Sequence, residues 1–154
     1  MGFERPPHRV VPYLSKNHRF IRGNHDDPAK CKAHPNYIPD GTIEVIGSTK
    51  VMFIGGAWSI DRALRTEGLN WWSDEQLSYM QFQDLIDIYK DEKPDMMVTH
   101  DCPTDFARKF ILGARKPSYP STTGSAFQVM RQIHQPKIWV FGHWHLDIDI
   151  EFEG

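Results

Sequence analysis

The chain has 154 residues, which at about 100–200 residues per domain corresponds to one domain, and we expect residues 1–154 to form it. Hydrophobic residues make up 40% and charged residues 25% of the sequence, which excludes a disordered, collagen-like or low-complexity chain. The formal net charge of -2 is too balanced to indicate an extensive nucleic-acid footprint or an anionic membrane as the main partner.

The sequence predicts a cytoplasmic protein without a membrane partner. No apolar run approaches the roughly 18 residues that span a bilayer, and no apolar signal core follows Met1. The two cysteines, Cys31 and Cys102, lie far apart and form no Cys-x-x-Cys pair. We therefore expect two free thiols rather than a disulfide or a thiolate metal site.

Short apolar and β-branched runs of strand length recur along the chain. The predicted strands are 18–22, 42–46, 50–54, 96–99, 137–141 and 146–152. The run 42–46 and the next one flank Gly47-Ser48 closely, which predicts an antiparallel hairpin. The run 146–152 alternates apolar and acidic residues, which predicts a strand near a sheet edge with one wet face.

Three helical patterns separate the later strands. The capping-box spacing of Ser73-Asp74-Glu75-Gln76 predicts the start of a helix that ends before Pro94. Shorter helices are predicted at 104–112 and 124–134. Alternating helices and strands together with one hairpin predict a layered α/β fold with a mixed sheet.

Three of the predicted strands are each followed at once by a polar cluster that contains histidine. The clusters are Gly23-Asn24-His25-Asp26, His100-Asp101 and Gly142-His143-Trp144-His145. Because loops at the carboxyl ends of strands in open α/β sheets converge on one edge, we expect the clusters to share a pocket. Neutral imidazole with amide and carboxylate oxygens suits a divalent Mn, Zn, Fe or Ni ion. Calcium by itself does not fit this set of donors.

The local sequence of the clusters adds two expectations about their backbone. Gly23 and Gly142 are expected to permit the turns that swing each histidine over its strand end. His143 and His145 are expected to point the same way, as residues two apart do in an extended chain. The remaining histidines are predicted to be surface or packing residues; they are His8, His18, His34 and His134.

Taken in this order, Gly23-Asn24-His25-Asp26, Val98-Thr99-His100-Asp101 and Gly142-His143-Trp144-His145 resemble signature blocks of the calcineurin-like metallophosphoesterases. The segment 55–62, followed by Trp71-Trp72, is similar to a subgroup of small bacterial and phage members described as serine/threonine-phosphatase-like. The resemblance implies an αββα sandwich of layered mixed sheets flanked by helices. It also implies hydrolysis of a phosphate ester by a hydroxide held between two divalent metal ions.

The resemblance also implies a role for each matching residue. Asn24, His100 and His143 would bind one metal ion, and His145 would bind the other. His25 would be the general acid that protonates the leaving oxygen. Asp26 would orient the His25 ring and act on its proton affinity through its negative charge.

Three arginines are candidates for binding the phosphate of the substrate, because a guanidinium presents two parallel donors to a phosphoryl group. Arg62 and Arg65 are the preferred substrate-binding residues, and Arg22 is a weaker candidate.

Two acidic blocks of the family pattern, Asp-x-His and Gly-Asp, have no counterpart ahead of Asn24, where Glu4 is the only acidic residue. The other end stops at Gly154, in what resembles the middle of a hairpin. From this resemblance we expect a partial domain, incomplete at both ends, that binds at most one metal ion tightly and hydrolyses phosphoesters poorly. An unpaired sheet edge is expected to allow self-association.

Two other functions stay open from the sequence. A non-catalytic metal-binding or interaction module would retain the fold without turnover. The segment 143–147 also has the His-x-His-x-Asp pattern of metallo-β-lactamase-like hydrolases, although Ile148 stands where that pattern continues with histidine. The sequence leaves the substrate open among a monoester, a diester, a phosphoprotein and a nucleotide.

Overall fold

The structure is a computed structural model that describes residues 18–113 and 119–151. Its elements follow the chain in this order: α1 Pro28–Ala33, β1 Thr42–Ile46, β2 Thr49–Ile54, a 3-10 turn Arg62–Leu64, α2 Tyr79–Glu92, β3 Met96–Thr99, α3 Thr104–Phe106 continued by a π-helical turn Ala107–Leu112, α4 Thr122–Ile133 and β4 Ile138–Phe141.

The described strands form one four-stranded sheet in the order β1-β2-β3-β4. β1 and β2 pair antiparallel as the expected hairpin, whereas β2, β3 and β4 run parallel. The mixed sheet with flanking helices confirms the predicted α/β class. Because β2, β3 and β4 run parallel, their carboxyl ends lie at one edge of the sheet.

Helices α2 and α4 cover one face of this sheet. Their apolar residues form the main core with Met52, Ile54 and Met97 of the strands; the helix members are Phe82, Leu85, Tyr89, Ala126, Phe127 and Met130. On the other face Val51 and Phe53 pack with Ile38, while Ile138 and Val140 of β4 stay about half exposed. The core therefore lies mainly between the sheet and this pair of helices.

The helix predicted to begin at Ser73 begins instead at Tyr79, so that start is wrong. Ser78 is the N-cap, and its hydroxyl and the Gln81 side chain form the reciprocal capping box. The same spacing occurs at Ser73 and Gln76, but the Gln76 carbonyl oxygen accepts hydrogen bonds from Thr122 of α4. The predicted end is confirmed, since Lys93 adopts a left-handed conformation just before Pro94.

The predicted strand 18–22 is wrong, because its backbone bonds to two different segments. Phe20 forms one isolated bridge with Tyr37, whereas the Arg22 carbonyl accepts a hydrogen bond from the Gly56 N–H at 2.9 Å. Helix α1, capped by Asp27, follows this segment and was not predicted.

The predicted strand 146–152 is also wrong over its described part, 146–151, which has no regular structure. Leu146, Ile148 and Ile150 are exposed, so the alternation meets no partner strand among the described residues. β1 and β4 are thus the edge strands of the described sheet, and self-association through an unpaired sheet edge stays a prediction. None of the described helices is long and apolar enough to cross a membrane.

Both cysteines are free and buried, as expected. Burial raises the pKa of Cys31 to about 11 and raises that of Cys102 further. Neither is therefore a thiolate at neutral pH.

Candidate metal and phosphate site

Asn24, His100 and His143 converge at the carboxyl edge of the sheet. His100 follows the last residue of β3, and His143 comes two residues after the end of β4. The side-chain oxygen Oδ1 of Asn24 lies 2.9 Å from Nε2 of His100 and 3.2 Å from Nδ1 of His143. The structure thus brings together three residues that the sequence placed in one site.

Close packing, rather than an unusual backbone angle, explains the glycine at position 23. A Cβ at Gly23 would lie 3.0 Å from Cε1 of His100. Positive φ angles fall instead on His143, at 64°, and His145, at 53°, so the expected extended conformation of this segment is wrong. The Trp144 N–H donates to the Gly142 carbonyl at 2.7 Å, which closes a tight turn around His143. A positive φ at a residue other than glycine is strained, and it persists where the surrounding structure enforces it. Such strained residues are often found at functional sites.

Both converging histidines are neutral at pH 7. Burial lowers the pKa of His100 to about 4 and that of His143 to about 3. Each ring therefore keeps one nitrogen with a free lone pair, the form in which imidazole binds a metal.

The donor set and its spacing fit a divalent ion. Two donors bound to one tetrahedral ion at about 2.1 Å each lie roughly 3.4 Å apart. The contacts of Asn24 Oδ1 at 2.9 and 3.2 Å require only a small expansion to reach that spacing. Counting only His, Cys, Asp and Glu, residues 18–113 and 119–151 contain no group of three placed to hold a metal, so the fit depends on the amide oxygen of Asn24.

His25 and His145 lie beside these residues, in an open cavity of about 920 Å³. The other lining residues are Asp26, Asp61, Arg65, Leu69, Asn70 and Trp72. A cavity of this size is in the range of small-molecule sites, about 300–1,000 Å³. His145, predicted to bind a second metal ion, therefore lines this cavity rather than joining the hydrogen-bonded group around Asn24.

The His25 ring contacts Arg65 rather than Asp26. Arg65 Nη2 lies 3.2 Å from His25 Nε2, and its Nε and Nη2 donate to the two oxygens of Asp61 at 2.7 Å each. Burial and Arg65 together lower the pKa of His25. Since a guanidinium can only donate, the His25 nitrogen that faces Arg65 carries no proton in this arrangement.

The remaining predicted site residues have other neighbours. The Asp26 carboxylate accepts a hydrogen bond from the backbone N–H of Gly23, in its own loop, at 2.6 Å. Arg62 lies over the ring of Trp71, 5.6 Å from the centroid, and is not among the cavity residues above. Arg22 is buried and bonded to Asp40 and to the carbonyls of Asp74 and Glu75, which makes it a structural residue.

Four buried polar residues behind the site were assigned no role from the sequence. Glu75 accepts from both the backbone N–H and the hydroxyl of Ser59, and Ser59 accepts from the Asn24 amide. Asp101 accepts from the Tyr119 hydroxyl, which also lies 3.2 Å from Nε2 of His143. The sequence places Asp101 beside a predicted ligand, but no sequence spacing indicates Ser59, Glu75 or Tyr119.

The family model for calcineurin-like phosphoesterases matches residues 3–147, which include every residue of this site. The chain therefore belongs to the calcineurin-like phosphoesterase family, whose members are in general metal-dependent hydrolases of phosphate esters. Comparison with curated proteins and with solved structures finds no match.

Proposed function

We propose that this chain hydrolyses a phosphate ester with a divalent ion held by Asn24, His100 and His143. The observation that carries the proposal is the convergence of two neutral imidazole rings on one amide oxygen next to an open cavity. Mn, Zn, Fe or Ni would suit these donors. A bound ion supplies an activated water and offsets negative charge on the phosphate.

The charges of the cavity explain why a phosphate substrate would need such an ion. Among the described residues that line the cavity, Asp26 and Asp61 are acidic and Arg65 is the one arginine, and its charge is already paired with Asp61. From these described lining residues, a phosphate entering the cavity would meet more negative than positive charge. We therefore expect substrate binding to depend on the metal as well as turnover.

Within this proposal, Arg65 binds the phosphate and His25 donates a proton to the leaving oxygen. His25 Nε2 faces Arg65 in the free protein, so this contact must open before that nitrogen can carry a proton. A phosphate oxygen competes for the same guanidinium because charge-assisted bonds from arginine to phosphate are strong. Substrate binding would then free His25 for its role as the acid.

His145 would add at most a weakly held second ion. It lines the cavity, and its aspartate neighbours there are Asp26, which bonds to Gly23, and Asp61, which bonds to Arg65. We expect one tight metal ion per chain, and isothermal titration that gives two tight sites would contradict this.

Manganese titration and hydrolysis of p-nitrophenyl phosphate and bis-p-nitrophenyl phosphate test the proposal. We expect His143→Ala to weaken manganese binding, and His25→Ala to retain binding while losing about 10²–10⁴-fold in rate. His34→Ala is the matched control, because this exposed histidine packs on Phe20 outside the cavity. Wild-type protein that binds neither manganese nor zinc would refute the proposed site.

The second candidate is a metal-binding module without turnover. The Arg65 contact that keeps a proton off His25 Nε2 favours it. Tight manganese binding with no hydrolysis above that of His25→Ala would support this module over the enzyme.

A further inference from the structure

Two of the three converging side chains are bonded on their far sides to a hydroxyl that is bonded in turn to a buried carboxylate. Behind Asn24 stand Ser59 and Glu75, which are 0% and 1% exposed. Behind His143 stand Tyr119 and Asp101, which are 4% and 0% exposed. A hydroxyl has one proton and an ionised carboxylate has none, so the direction of each hydrogen bond follows from counting protons.

The count decides which end of the Asn24 amide faces the histidines. The Ser59 hydroxyl donates its proton to Glu75 Oε2 at 2.5 Å, and the Ser59 N–H donates to Oε1 at 3.0 Å. With its proton committed, the Ser59 oxygen can only accept, and it accepts from Nδ2 of Asn24 at 2.9 Å. The amide oxygen must therefore face the two imidazole rings.

The same count shows that both polar neighbours of the neutral His143 ring are acceptors. The Tyr119 hydroxyl donates to Oδ2 of Asp101 at 2.9 Å, and the Ser121 hydroxyl donates to the same oxygen at 2.7 Å. The Tyr119 oxygen is then left as an acceptor for Nε2–H of His143, at 3.2 Å. Asn24 Oδ1, at 3.2 Å from Nδ1, is the other acceptor, and the neutral ring has one proton to donate. When the ring is protonated at Nε2 and bonded to Tyr119, Nδ1 is left bare beside Asn24 Oδ1.

We infer that Glu75 through Ser59, and Asp101 through Tyr119, are positioning pairs that present the Asn24 oxygen and the His143 Nδ1 lone pair to one metal ion. The inference rests on the proposed function for the identity of that ligand. Two lone pairs then face each other 3.2 Å apart, an arrangement that a cation between them would relieve. Bonds of this kind behind a metal ligand commonly set its tautomer and orientation.

The tautomer can be measured without any metal. In metal-free wild-type protein at neutral pH, nitrogen-15 chemical shifts of the His143 ring give the ratio of the two tautomers, and we expect the form protonated at Nε2 to be populated because Tyr119 accepts that proton. Tyr119→Phe removes the acceptor for that proton while keeping the ring that packs on Trp58 and Trp144. We expect this variant to shift the ratio toward the tautomer protonated at Nδ1, because Asn24 Oδ1 is then the remaining acceptor.

Manganese titration of the same proteins gives the second measurement. We expect Tyr119→Phe and Ser59→Ala each to weaken binding about 10–100-fold, the range for partners of metal ligands. Tyr89→Phe is the matched control, because the buried Tyr89 hydroxyl donates to the carbonyl of His134, away from the site, at 2.6 Å. The control should bind manganese as the wild type does.

Each result bears on a different statement. A tautomer ratio of His143 that is the same in the wild type and in Tyr119→Phe would overturn the inference, even if manganese binds. Unchanged manganese affinity in both Tyr119→Phe and Ser59→Ala would also overturn it. A tautomer ratio that Tyr119→Phe shifts, in protein whose wild type binds neither manganese nor zinc, would refute the proposed function and keep the hydrogen-bond assignment. If Tyr119→Phe fails to fold, the manganese affinity of Ser59→Ala still decides.

Discussion

Replacing Arg22 with methionine should destabilise the protein strongly, because Arg22 ties three segments together in a buried position. Its Nε donates to Asp40 at 3.2 Å, and Nη1 donates to the carbonyls of Asp74 and Glu75 at 3.1 and 2.8 Å. The side chains of Arg22 and Asp40 are 3% and 13% exposed. Removing one partner of a buried ion pair typically costs about 3–5 kcal/mol, so we expect a loss in that range.

Arg19→Met is the matched control, since Arg19 pairs with Glu44 at the surface, where the two side chains are 44% and 30% exposed. An exposed pair contributes about 0–1 kcal/mol. Urea unfolding of metal-free protein, followed by tryptophan fluorescence, measures both losses. If Arg22→Met costs no more than Arg19→Met, the structural role given to Arg22 is wrong, and Arg22 returns as a candidate phosphate ligand.

Two further predictions concern backbone strain and pH. Gly56 and Gly47 both have positive φ, at 78° and 65°, so alanine at either position costs roughly 1–2 kcal/mol of backbone strain. Gly56→Ala should cost more than Gly47→Ala, because its Cβ would lie 2.5 Å from the Glu75 carbonyl whereas that of Gly47→Ala meets nothing within 4 Å; equal losses in urea unfolding would contradict this. Metal-free stability should fall as pH drops from about 6.5 to about 4, because unfolding lets His100 and His143 take up protons that the fold denies them. Burial raises the pKa of Asp101 to about 6, so the folded protein binds a proton there as the pH falls, which opposes the loss of stability. Asp101→Asn should therefore make stability drop more steeply with acid. An unchanged slope in urea unfolding at several pH values would refute the raised pKa of Asp101.

The elements that could be predicted from the sequence are those whose signal is contained within a few residues. β3 was predicted at its observed bounds, and the hairpin of β1 and β2 follows from two apolar runs around Gly47-Ser48. The position of His100 at a strand end is also a local fact. Its meeting with Asn24 and His143 could be anticipated because parallel strands end at a common edge.

The wrong predictions occur where a contact with a distant segment selects one of the structures that the local sequence allows. Two Ser-x-x-Gln sequences occur near the start of α2, and the later one caps the helix while the Gln76 side chain accepts hydrogen bonds from Thr122 of α4. The alternation in 146–151 indicates a strand, but a strand needs a neighbour, and the described residues provide none there. The left-handed turn at His143 likewise has no local signal, because it falls on a histidine and not on the neighbouring glycine.

The amino-acid sequence by itself determined the apolar runs that build the sheet, the histidines at their ends and the family blocks that contain them. Only the tertiary structure decided which atoms of those residues face one another. Hydrogen-bond direction depends on every neighbour of a polar group, and Ser59, Glu75 and Tyr119 reach the site from segments with no fixed spacing to Asn24 or His143. Periodicity describes one segment at a time, whereas this site is formed by contacts between segments.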